Sequence, residues 1–340
     1  MPWVHDSISI ALIVFGISAA VILLCGIKIT RLADALGKRT GMGSALFGAV
    51  LLGGTTSLPG IITSVSTAWQ GYPALSASNA VGGIAAQTVF LIFADMFYRK
   101  ANLEHAAASL ENMVQCGLLI ALLAIAMMIA TGPEWVIFGT HVGTVILLLG
   151  YGFGLKLIAD CKEQPFWHPS KTEDTHPERE IPAPRTRLSL LWSRFICYAF
   201  IIAVAGFSVG ESGVALANQT GLKETTVGAL LTAIATSLPE LVTVIAAVRI
   251  GALTLAVGDI IGGNSFDVLF LAFSDIAFRE GSIYHAMGEN SLYLISTNLL
   301  MSTTLLLGLL RRKRSGIGNI GFEGIMILSV YLISVATITR

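Results

Sequence analysis

The chain alternates long apolar runs with short polar breaks. A helix needs about 20 apolar residues to cross the hydrocarbon core of a bilayer. Runs near that length fall at Ile8–Ile27, Gly43–Ala68, Pro73–Phe97, Met113–Thr131 and Trp135–Ile158. A second group follows at Phe195–Ala217, Thr225–Val248, Thr254–Ala277, Ser291–Leu310 and Ile320–Ile338. The pattern predicts an all-α membrane protein of about ten transmembrane helices. Residues 161–194 interrupt it with charged residues and with Pro165, Pro169, Pro177, Pro182 and Pro184, the composition of a linker outside the membrane. The expected organisation is therefore a five-helix unit over 1–160, a linker over 161–194 and a second five-helix unit over 195–340. The first run exceeds the 7–15 apolar residues of a signal peptide, and its nearest basic residues, Lys28 and Arg31, follow it. It reads as a permanent span.

The two halves share more than apolar composition. Sliding the sequence by 180 positions brings Thr56-Ser57-Leu58-Pro59 onto Thr236-Ser237-Leu238-Pro239. Without a gap, Gly71 then meets Gly251, Gly82-Gly83 meet Gly262-Gly263, and Asp95 and Arg99 meet Asp275 and Arg279. Apolar bias aligns leucines and alanines; it does not align Pro, Gly, Asp and Arg in one register. Five spans per unit is an odd number, so the second copy enters the membrane from the opposite side. Inverted repeats are a transporter architecture, with the substrate site at mid-membrane where the repeats meet.

Charge sets the orientation. With the N-terminus outside, Lys28–Arg39, Arg99–Lys100, the linker, Arg249 and Arg311–Arg314 all lie inside, leaving Lys223, Arg279 and Arg340 outside. Basic residues favour the cytoplasmic side, so both termini are expected outside and the linker inside. Of all residues, 54% are hydrophobic and 12% charged, with equal numbers of acidic and basic side chains. That balance offers no basic surface for nucleic acid. Cys25, Cys116, Cys161 and Cys197 show no CxxC spacing and the six histidines no HExxH pattern. Disulfides, a zinc enzyme and a resident cofactor are not expected.

The candidate chemistry lies in the repeated motif. Pro59 and Pro239 lack an N–H and clash with the carbonyl four residues back, which frees the carbonyls of Thr55 and Ala235 at membrane depth. A cation can take such carbonyls, and the hydroxyls of Thr56, Ser57, Thr236 and Ser237 add hard oxygen ligands. The plain alternative is a proline kink patched by Ser and Thr. Glu240 follows Pro239 deep in an apolar span, where an ionisable group costs several kcal/mol unless it is paired or binds an ion. Asp267 and Asn264 share a face of the next helix. Glu240 and Asp267 together neutralise one divalent ion; each is otherwise a protonated structural carboxyl. Asp259, matched by Asn79 in the first half, reads equally as an access-path ligand or a solvated cap. Asp95/Arg99 and Asp275/Arg279 read as helix-end ion pairs.

Thr236-Ser237-Leu238-Pro239-Glu240 and Gly262-Gly263-Asn264-Ser265-Phe266-Asp267 resemble the α-repeats of the Ca²⁺/cation antiporter superfamily, the sodium/calcium exchangers and their relatives. The resemblance covers the whole chain and, since the linker holds no long regulatory domain, implies a compact prokaryotic-type exchanger of a bacterial inner membrane. It implies no enzyme but an antiporter that moves Ca²⁺ or another cation against Na⁺ or H⁺ by alternating access, with those cations and the lipid bilayer as its partners. It implies ion ligands at Thr236, Ser237, Glu240 and Asp267, and in part at Thr56 and Ser57. The first repeat departs from the pattern: Gly60 stands where the family has its first Glu, Gln87 at the Asn/Asp position, and Ile84-Ala85 in place of polar residues. One carboxylate is thus missing. The alternatives are proton-coupled exchange of another cation and a transport-inactive sensor or scaffold. An intramembrane aspartyl protease, suggested by Val257-Gly258-Asp259, fits less well than the repeat.

Overall fold

The computed structural model describes residues 1–40, 53–98, 102–163, 186–313 and 321–340. The fold is helical: α1 (Ile8–Thr40), α2 (Leu58–Trp69), α3 (Pro73–Phe97), α4 (Leu110–Thr131) and α5 (Val142–Glu163) precede the linker. After it come α6 (Leu188–Thr220), α7 (Glu224–Thr236), α8 (Leu238–Arg249), α9 (Leu253–Asp267), α10 (Leu269–Ala277), α11 (Glu289–Arg311) and α12 (Phe322–Ile338). Among the described residues seven helices are long and apolar enough to cross a membrane, with α9 and α10 counted as one, and an eighth if α7 and α8 are one bent span. Helix α12 is apolar but shorter. The start of the expected span Gly43–Ala68 lies outside the described residues.

The layering follows from how much of each helix the protein itself covers. The apolar stretch of α3 is 94% buried and that of α9–α10 78%, against 22% for α1 and 17% for α6. Helix α3 is therefore the centre, wrapped by α7, α8, α9 and α11, while α1 and α6 pack along each other on the outside and leave most of their apolar surface uncovered by protein. Their inner faces meet the proline helices at two glycines in repeat register. Gly26 of α1 lies against the Pro239 ring, and a Cβ on Gly206 of α6 would stand 2.7 Å from the Pro59 carbonyl oxygen.

Two expectations change at the membrane edges. Trp135–Phe138 does not begin the fifth span. Val136–Ile137 pairs antiparallel with Thr140–His141 in a small hairpin, and the helix starts at Val142. Phe138 and Gly139 at its tip have φ of 53° and 80°, the twist of a type I′ turn that a helix cannot continue. Nor is Asp275 an ion-pair partner of Arg279. Its carboxylate accepts hydrogen bonds from the Ile283 amide (3.1 Å), the His141 amide (2.8 Å) and the Thr144 hydroxyl (2.6 Å), closing the corner between α10 and α11. The Arg279 guanidinium lies 4.7 Å from the centre of the Trp69 ring instead. Asp95 closes the equivalent corner through the Leu103 amide, 2.7 Å away; Arg99 is outside the described residues.

The two corners differ in charge. Where the first has Tyr284, the second has Glu104, which is buried and packs with Glu323 over Gly308. Arg311 reaches Glu323 at 3.6 Å. Burial, and then the charge of Glu323, push the Glu104 carboxyl above its ordinary value of 4.5.

Two expectations follow. Gly26→Val or Gly206→Val should lower thermal stability in detergent by about 1–3 kcal/mol, because the added methyls overpack a proline that has no room to retreat. Folded Glu104 holds its proton more tightly than unfolded Glu104, so its contribution is present below pH 4.5 and is lost as pH rises toward the raised value. Glu104→Gln should therefore raise the melting temperature at pH 8 more than at pH 5, as read by a thermal shift assay.

Candidate functional site

Both proline motifs break their helices as the sequence requires. Residues 53–56 are helical, Ser57 is a bend, and α2 starts at Leu58. Ser237 (φ −96°, ψ 6°) likewise separates α7 from α8, whose axes differ by 48°. Each serine is thus left at the start of a new helix in the middle of the protein. Amide hydrogens at such starts carry partial positive charge and favour anions, and Glu240 sits in the first turn of α8.

The breaks bring the sequence-predicted residues together. The Ser57 hydroxyl donates to Asp267 Oδ1 at 2.6 Å, so the first motif touches a carboxylate of the second half directly. The Thr56 hydroxyl donates to the Gly53 carbonyl of its own turn at 3.1 Å and lies close to the Glu240 carboxylate. Glu240 and Asp267 are 5% and 2% exposed and lie within electrostatic reach of each other. Ser237 joins them through Gln87. That amide donates to Asp267 Oδ2 at 2.7 Å and reaches the Ser237 hydroxyl at 3.2 Å.

Two predicted ligands stand back from the cluster. Thr236 spends its hydroxyl proton on the Thr232 carbonyl, 2.9 Å away in its own helix. Asn264 donates to the Thr88 hydroxyl at 3.0 Å rather than to either carboxylate. Sequence reasoning registered Gln87 only as a departure from a pattern, whereas the structure makes it the bridge between the half-sites. It also missed Thr88, and the π-helical turn Val227–Thr232 that leads into the second break. A polar Gln87-Thr88 pair inside an otherwise apolar span was the available signal.

The oxygens left over define what the site can do. Glu240 Oε2, Gln87 Oε1 and Asn264 Oδ1 are buried and have no hydrogen-bond partner. A buried unpaired acceptor costs about 1–3 kcal/mol, more when charged, and a hard cation relieves that cost. Among the described residues no three His, Cys, Asp or Glu side chains converge on a point; the acidic side chains that the two motifs bring to the centre are Glu240 and Asp267. The place of a third carboxylate is filled: a Cβ on Gly60 would stand 2.6 Å from Phe270 Cε2.

The profile of the family described as sodium/calcium exchanger protein matches residues 10–159 and 190–340. The antiporter candidate CaxA of Alkalimonas amylolytica is 26% identical over 287 residues, which cover 82% of this chain and 85% of CaxA. The sodium/calcium exchanger MaX1 of Methanosarcina acetivorans is 31% identical over 112 residues, 33% of this chain and 30% of MaX1. Among solved structures, that of the H⁺/Ca²⁺ exchanger CAX superposes with a TM-score of 0.71 at 14% identity, over 97% of this chain and 85% of its own. The sodium-calcium exchanger NCX_Mj superposes with a TM-score of 0.60 at 17% identity, over 97% of this chain and 99% of its own. At such identities the superpositions show a shared fold.

Gly60→Ala should destabilise the protein by about 1–3 kcal/mol through contact with Phe270. Phe270→Leu in the same chain should recover part of that loss. Melting curves of the two single variants and the double variant give the coupling directly.

Proposed function

The chain belongs to the sodium/calcium exchanger protein family, and from that premise we propose that it is a secondary active antiporter. Its cargo is a hard cation, Ca²⁺ foremost, moved against Na⁺ or H⁺ at the Glu240/Asp267 centre. The observation that carries this reading is Glu240 itself: a carboxylate at a helix break, 5% exposed, with one oxygen that no donor reaches. An ionisable group at that depth is costly unless it is paired or binds an ion. The fold then reads as ten spans in two inverted five-helix units, 1–160 and 195–340, joined by a cytoplasmic linker. Alternating access is movement of α1 and α6, which face lipid and touch the centre at Gly26 and Gly206, against the packed remainder.

The ligand set is Glu240, Asp267, Ser57, Thr56 and Ser237, with the carbonyl oxygens of Gln87 and Asn264. Asp267 already accepts two hydrogen bonds, so a cation arriving at Glu240 displaces the Gln87 amide or shares Asp267 with it. Two carboxylates balance one divalent ion, or two monovalent ions or protons, at a time. The Phe270 ring at Gly60 supports that low count and favours a second reading, proton-coupled exchange in which Glu240 carries the proton.

The test is ⁴⁵Ca²⁺ uptake into proteoliposomes under an imposed Na⁺ gradient and, separately, a pH gradient. Uptake should follow one gradient and fall at least about 100-fold in Glu240→Gln, since a direct ligand should matter at least as much as the 10–100-fold of its supporting shell. Folded wild-type protein that takes up no Ca²⁺ under either gradient overturns the Ca²⁺ assignment.

A further inference from the structure

Positions 79 and 259 are equivalent in the 180-residue register, yet their side chains live differently. Asn79 is fully used. Its amide donates to the Gly60 carbonyl (3.2 Å) and the Ser64 hydroxyl (2.8 Å), and its oxygen accepts from the Thr232 hydroxyl at 2.7 Å. These bonds knot α2, α3 and α7 together on one side of the centre, and Asn79 is 1% exposed.

Asp259 occupies the matching place on α9 with none of those partners. The residue equivalent to Ser64 is Val244, buried and without a donor. The Asp259 carboxylate has no hydrogen-bond or ion-pair partner among the described residues, and it is only half-buried where Asn79 is sealed. It shares a stripe of α9 with Gly263 and Asp267, at i, i+4 and i+8, which sets it about 12 Å along the helix from Asp267. The Glu240 carboxylate is within electrostatic reach of both aspartates. Glycines open this stretch to oxygen atoms of α4. A Cβ on Gly258 would stand 2.8 Å from Asn112 Oδ1, and one on Gly262 would stand 3.8 Å from Gln115 Oε1, a buried acceptor with no partner. Asp259 is also displaced toward the end of α9 that follows Arg249, the end at which the basic loops gather.

We infer that Asp259 is a second cation station, outside the Glu240/Asp267 centre, that holds the cargo on the linker-side route to it. The inference rests on the transport reading above. The station is one-sided: on the opposite side the register puts Asn79, whose single side-chain oxygen is taken by the Thr232 hydroxyl.

Two measurements test it. In vesicles of known orientation, Asp259→Asn should raise the half-saturating Ca²⁺ concentration by at least about tenfold when Ca²⁺ is supplied from the linker side and leave it unchanged from the other side, while Asp259→Glu keeps wild-type behaviour. A shift of equal size on both sides, or none, overturns the inference, because a merely structural role has no sidedness. The second measurement needs no flux, and so separates this inference from the transport reading. In a chain whose four native cysteines are replaced by serine, Asp259→Cys is treated with a membrane-impermeant methanethiosulfonate. Labelling from the linker side that Ca²⁺ slows supports the station even if wild-type flux is absent. Labelling from the other side only, no labelling of folded protein, or labelling indifferent to Ca²⁺ overturns it.

Discussion

Pro59 and Pro239 have no amide hydrogen to donate, and neither can sit within an unbroken helix. In water the gap would be filled by solvent. In a bilayer it must be filled by protein or by cargo, and the rest of the architecture is arranged around that need. Ser57 and Ser237 end up at the starts of new helices at the middle of the molecule. Glu240 is set in the first turn after one break, and Asp267 is reached by a hydroxyl from the other. The two long lipid-facing helices come close only because each presents a glycine to a proline helix. Replace either proline with a helix former and the carbonyls close back into their ladder; the hydroxyls then lose their aim at Asp267 and Glu240.

The centre built this way is unequal. One half contributes Glu240, the other a bare glycine backed by an aromatic ring. One half contributes Asp267, the other the amide of Gln87, which spends its donor on that aspartate. The same inequality recurs at Asn79 against Asp259, and at Tyr284 against Glu104. In each pair one half satisfies its polar groups internally and the other leaves oxygen atoms open. Internal satisfaction gives rigidity; open oxygen is useful only where a charged species arrives. The folds share a plan, and the differences between the halves mark where that plan was put to work.

Much of this was legible in the sequence. The span from Pro73 to Phe97 has the bounds its apolar run predicts, because a proline starts it and an aromatic pair ends it. The repeated Thr-Ser-Leu-Pro located both breaks, since the chemistry of proline is local. What was not legible depends on contacts made across the molecule. That Gln87 would bridge Ser237 and Asp267 requires knowing that α3 lies between α7 and α9. That Asp275 would cap a corner, and leave Arg279 to a tryptophan, requires knowing where His141 and Thr144 come to rest. Trp135–Phe138 was read as the head of a span because it is apolar; a tight turn of bulky residues carries no hydropathy signal that separates it from a helix.

The contacts at the centre also bear on what holds the molecule in one piece. Ser57 bonds to Asp267, Thr63 to the Gly206 carbonyl, Asn79 to Thr232, and Asn298 to the Val81 carbonyl. Every one of these bonds joins a residue before the linker to a residue after it, and all are buried. Helix α3, the most covered of all, owes its cover largely to helices from beyond the linker. The main hydrophobic core is therefore shared between the two halves. Cohesion between the halves does not rest on the covalent connection between Glu163 and Leu188 alone. A chain cut there would remain one particle, held by the interlocked helices, and would unfold as one.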